Sequence, residues 1–86
     1  MREVNKPISV IATFNIGEKP IPKKYKIKED FRDIWHTVNI DEVTSIDARS
    51  LSFIDYDCIS YYEEYQKRYV VRYYIKELSW FLVKSE

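Results

Sequence analysis

The sequence predicts an all-β fold, an antiparallel meander of five or six strands curved into a small open barrel. Three observations point there. Apolar and polar residues alternate with period two in several separate stretches. Aromatic residues make up 16% of the chain, and eight of the fourteen are tyrosine, a side chain that suits a pleated, half-buried surface. Gly17 is the only glycine, so strand formers are abundant and the residue that eases tight bends is scarce. At 86 residues the chain is one domain, 1–86, because a further division would leave pieces too small to hold a core.

Pro7 to Ile16 alternates with Ile8, Val10, Ala12, Phe14 and Ile16 on one face, which reads as the first strand. Gly17-Glu18-Lys19 follows as a hairpin turn, glycine taking positive φ without steric cost. Ile21 to Lys28 sets Ile21, Tyr25 and Ile27 against Lys24, Lys26 and Lys28. Pro20 and Pro22 cannot donate to a ladder, so this second strand is expected at a sheet edge, guarded by its lysines.

Residues 30–40 fit two templates. Phe31, Ile34, Trp35 and Val38 make a helical stripe behind Asp30 as N-cap, whereas Ile34, His36, Val38 and Ile40 make a strand face. A helix near 30–39 would turn the fold into an α+β arrangement. Asp41 to Ser52 is polar and reads as a long connection, with one helical turn around Ile46 to Leu51. Ser52 to Tyr62 is a strand carrying Ile54, Tyr56 and Cys58 against Asp55 and Asp57, and Glu63 to Gln66 is a turn. Tyr69, Val71, Tyr73 and Ile75 form the inward row of the next strand, and Trp80 to Lys84 is the last. A helix through 62–82 also fits the tyrosine spacing, but Tyr-Val-Val-Arg-Tyr-Tyr-Ile is a poor helix and a good strand. The expected core is Ile8, Val10, Phe14, Tyr25, Val38, Ile40, Tyr56, Tyr69, Val71, Tyr73, Trp80 and Leu82.

The net charge is zero, but the charges are sorted. Residues 1–28 carry seven basic groups against two acids, 29–66 carry two against ten, and 67–86 carry five against two. That order gives a basic and an acidic pole if the fold keeps the segments apart. Cys58 has no partner for an internal disulfide, Met1 to Lys6 lacks an apolar leader, and no run approaches the roughly 20 apolar residues of a membrane span. The expected compartment is the cytoplasm, with no membrane contact.

Candidate chemistry is sparse, and no catalytic residue, metal site or cofactor is expected. His36 is the only histidine, and a lone histidine in a strand is more often structural than a base or ligand. Cys58 is flanked on one side by Asp57, the wrong charge for a reactive thiolate. One histidine and one cysteine fall short of a zinc set. Asp55 and Asp57 share a face and have the chemistry to hold Mg²⁺ or Ca²⁺, although alternating aspartates usually mark a solvated strand face. A single glycine leaves no phosphate-cradling loop.

Two surfaces remain. Lys19, Lys23, Lys24, Lys26 and Lys28 form a stripe able to follow a phosphate backbone, against an overall isoelectric point near 6.6. Val70, Tyr74, Phe81 and Val83 lie on the outward parity of the last hairpin, as a partner or dimer surface if exposed and a second core layer if covered.

Pro7-Ile8-Ser9-Val10-Ile11-Ala12-Thr13-Phe14, Trp35-His36 through Ile40-Asp41, Tyr56-Asp57-Cys58, Tyr73-Tyr74-Ile75 and Trp80-Phe81-Leu82 together resemble a group of short uncharacterised proteins from low-GC Gram-positive bacteria. The Tyr73-Tyr74-Ile75 and Trp80-Phe81-Leu82 pair is also similar, more weakly, to small β modules at the C-terminus of Y-family-polymerase-like proteins. The resemblance implies a β-meander and a strand at 34–40, and it brings no functional residues. The chain departs from the pattern at Phe31-Arg32-Asp33, where a glycine-containing turn is usual. The function expected is a non-enzymatic protein–protein interaction module with a protein partner or a second copy of itself. The alternative is a weak nucleic-acid-binding accessory domain using the lysine stripe.

Overall fold

The alternating stretches become seven strands in the computed structural model, which describes residues 1–86 and contains no helix. They are β1 (Arg2–Thr13), β2 (Ile21–Lys28), β3 (Trp35–Asn39), β4 (Glu42–Asp47), β5 (Phe53–Tyr61), β6 (Gln66–Tyr74) and β7 (Ser79–Ser85). All pairings are antiparallel, in the order β3-β2-β1-β7-β6-β5-β4. Every strand therefore neighbours its successor except β3 and β4, while β1 and β7 pair with each other. The sheet is a meander rolled into an open half-barrel, with its seam between β3 and β4.

Strand count explains the seam. Seven strands cannot all alternate in direction around a closed ring, so one adjacent pair must run the same way. Here β3 and β4 do, and only Ile40 and Asp41 separate them. The Ile40 N–H donates to the Lys23 carbonyl (2.9 Å) and the Asp41 N–H to the Ile59 carbonyl (3.0 Å). Within one residue the chain leaves β2 and joins β5. β1 changes partners in the same manner, pairing with β7 through Ile8 and with β2 from Ser9 onward. These two bent segments divide the barrel into a small lobe (the second half of β1, β2 and β3) and a large one.

Bulges supply the curvature. Thr44, Lys23 and Val83 are each the extra residue of a two-against-one pairing, and β1 carries another between Glu3 and Lys6, where Asn5 has φ 51°. Such bulges increase local twist and let a sheet coil.

The core is one cluster of eleven buried residues, Ile8, Tyr25, Ile40, Ile54, Tyr56, Cys58, Tyr69, Val71, Tyr73, Trp80 and Leu82, with Val10 and Val38 packed against it. Trp80 stands against Tyr73 (ring centroids 4.6 Å) and Tyr56 (5.6 Å), and Tyr25 meets Tyr69 edge-on (5.6 Å). Two buried hydroxyl links join the lobes. Tyr56 donates to the Pro20 carbonyl. Ser60 Oγ donates to the Asn39 carbonyl (2.5 Å) and lies 2.6 Å from the Tyr69 hydroxyl. Serine has a single hydroxyl proton, so Tyr69 is the donor in that second contact.

Several expectations are corrected. The helix at 30–39 is absent: Trp35–Asn39 is strand β3, whose β-branched and aromatic residues pair with β2. Residues 41–52 contain strand β4 in place of a bare connection with a helical turn, which makes seven strands rather than five or six. β2 is internal, flanked by β1 and β3. Pro22 is tolerated because β3 pairs only from Lys24 onward and Pro22 adjoins the bulge. Phe14 lies beyond the end of β1 and is 66% exposed, so it leaves the core list.

Candidate functional site

The small lobe carries the most distinctive surface. On β2, Tyr25 and Ile27 turn inward, and the alternation that buries Tyr25 sets Lys24, Lys26 and Lys28 on the outer face. Cross-strand register adds the neighbours: Ile11, Lys24 and Asn39 form one row, Ser9, Lys26 and Thr37 the next, and Lys28 stands opposite Trp35. Ser9, Lys26, Trp35 and Thr37 line a shallow depression of about 370 Å³. Trp35 is 54% exposed. No acidic residue occurs in Ser9–Thr13, Ile21–Lys28 or Trp35–Asn39. The structure does not gather the whole predicted stripe: Lys19 lies in the hairpin ahead of β2, and Lys23 is the bulge residue.

Acids border this face at both ends. Lys28 Nζ is 3.3 Å from Asp33, an exposed pair, and Lys6 Nζ is 2.7 Å from Asp30. His36 Nε2 lies 2.6 Å from Glu29 Oε1, which gives the only histidine a local partner on the surface. Asp41 and Glu42 stand at the opposite end, where β3 passes into β4.

The surface expected on the last hairpin is not a continuous exposed patch. Val70 and Val83 are buried at 8% and 5% exposure: Val83 is the extra residue of the bulge between β6 and β7, whereas Val70 keeps its alternation between Tyr69 and Val71, and neither joins the inner cluster. Tyr74 and Phe81 are half-buried and meet edge-on at 5.5 Å, with Phe53 packed edge-on against Tyr74. Arg72 lies over Phe53, its guanidinium carbon 3.9 Å from the ring centroid, and forks onto Asp55 at 2.7 and 3.0 Å. The Asp55 contact holds the guanidinium in its charged form, raising its pKa. Asp57 accepts a 2.5 Å hydrogen bond from Ser45. Both strand aspartates are thus engaged by neighbours, and no group of three His, Cys, Asp or Glu side chains converges to hold a metal ion. Cys58 is buried in the core, and burial pushes its thiol up to about 12.

A further surface escaped the alternation argument. From Ser9 to Thr13, β1 pairs only with β2, so its side toward β7 is an open ladder edge. Pro7 to Gly17 contains no charged residue, although a third of the chain is charged. Ile11 is 60% exposed and Ile16 fully so. Beside this edge Phe14, Val10, Leu78 and Phe81 line a groove of about 450 Å³. Comparison with protein-family models, curated proteins and solved structures finds no match to this chain.

Proposed function

We propose that the protein is a non-enzymatic protein–protein interaction module that adds a partner strand, or the same strand of a second copy, to the open edge of β1. One observation carries the reading. Unpaired edges in native sheets are ordinarily guarded by charge, proline or a bulge, and the Ser9–Thr13 edge has none of these beyond the bulge opposite Lys23. An added strand would satisfy the open backbone groups while its side chains enter the groove beside Phe14 and Leu78, the usual division of labour in strand addition. A neutral segment also pairs with its own copy about a two-fold axis without charge repulsion. The cytoplasm remains the compartment we favour, because a lone cysteine suits a reducing environment.

The test is sedimentation velocity across a concentration series, together with capture of partners by tagged protein from nuclease-treated lysate, for the natural chain and for Ile11→Lys. Ile11 is exposed, so a lysine there should shift stability by no more than about 0.5 kcal/mol. Concentration-dependent dimers or a captured partner, lost in Ile11→Lys, support the reading. A chain that stays monomeric and captures nothing, or a variant that associates equally well, defeats it.

A further inference from the structure

We infer that the outer face of the small lobe is a binding site for single-stranded nucleic acid, centred on Trp35 and the Lys24-Lys26-Lys28 row. Alternate residues of a strand lie roughly 6.6 Å apart, so the three ammonium groups have a repeat suited to successive backbone phosphates. Trp35 stands opposite Lys28 with more than half its surface open, which gives an unpaired base a ring to stack on beside the charge that holds its phosphate. Combining a basic track with an exposed aromatic ring is the general recipe for binding single strands. A duplex hides the faces of its bases and leaves the ring without a partner.

The neutral overall charge does not oppose this. Electrostatic reach at physiological salt is about 8 Å, so the sign of the local surface governs the contact. Within the three strand segments of the lobe that sign is wholly positive. The ion pair between Lys28 and Asp33 is exposed on both sides and exchanges readily for a phosphate contact. The acids at the two ends, Glu29 to Asp33 and Asp41-Glu42, set the length of the site. Between them fits a row of about 13 Å from Lys24 to Lys28, enough for two or three nucleotides.

The experiment is titration of a labelled oligothymidylate with the full chain at several salt concentrations, read by anisotropy and by tryptophan fluorescence. Trp80 is buried, so quenching on binding reports Trp35. Three phosphate contacts give a log–log salt slope of about −2. Lys24→Ala/Lys26→Ala/Lys28→Ala should flatten that slope and weaken binding at least tenfold. Trp35→Ala should weaken it about tenfold with the slope unchanged, and Trp35→Phe should recover most of the loss. A control triple, Lys67→Ala/Lys76→Ala/Lys84→Ala, should bind as the natural chain does, with circular dichroism confirming that every variant is folded. Absence of binding at low salt, equal loss in the two lysine triples, duplex DNA bound as tightly as the single strand, or a preference for phosphatidylserine vesicles would each overturn the inference.

Discussion

Phe31 is the residue whose conformation least suits it. It sits at φ 66° with its ring wholly exposed, in the left-handed region that costs a residue with a Cβ roughly 1–2 kcal/mol and glycine almost nothing. Replacing Phe31 with Gly should therefore raise stability by about 1 kcal/mol and the melting temperature by roughly 4–8 °C. A calorimetric scan in which the variant melts at or below the natural chain would mean that the ring stabilises the turn in another way. Tyr56 is the opposite case. Its ring is fully buried and its hydroxyl reaches back to Pro20 across the barrel, so sequence, packing and hydrogen bonding agree there.

At the scale of elements, pairing determines how firmly each strand is held. β5, β6 and β7 are bonded on both sides, whereas β3 and β4 each have one ladder partner and an open seam. Amide hydrogen exchange should be slowest in β6 and the paired half of β5, and fastest in β3 and β4; equal protection in all strands would contradict a seam that opens locally. The same contrast marks what could be read from the sequence. β5, β6 and the first half of β7, as far as Leu82, are legible because their inward rows alternate regularly and are buried. β4 is not: the extra residue Thr44 puts Val43 and Ile46 three apart, which destroys the period. Val83 departs from the pattern for the same reason, being the extra residue of a bulge, whereas Val70 keeps its parity and is buried without joining the inner cluster. The lysine row followed from alternation alone. The Trp35 beside it depends on the register of β3 on β2, and the open edge of β1 depends on where β7 begins, and neither has a local signature.

For the molecule as a whole, buried tyrosines set the alkaline limit. Burial raises Tyr25 and Tyr56 to about 12, from an ordinary value of 10.0, and pushes Tyr69 up as well. Cys58, also raised by burial, lies among them. The folded state thus holds these groups neutral where the unfolded chain would ionise. Their contribution to stability is complete below about pH 9 and is lost as pH climbs through 10 toward 12. Spectrophotometric titration should show tyrosines ionising in two steps, the second coinciding with loss of the β-sheet circular dichroism signal. A single step near pH 10 with the fold intact would refute this.

The pairing of Arg2 with Ser85 brings the two ends of the chain side by side. A circular permutant that joins them through a short linker and opens the chain between Ile40 and Asp41 would run β4-β5-β6-β7-β1-β2-β3. Its order along the chain would then match its order across the sheet. The β1·β7 ladder, now formed between the two ends of the sequence, would become a hairpin. Contact order falls, and with it the loop-closure entropy that long-range pairing must overcome. The permutant should refold faster in stopped-flow measurements even though cutting the Ile40–Asp41 link lowers its stability.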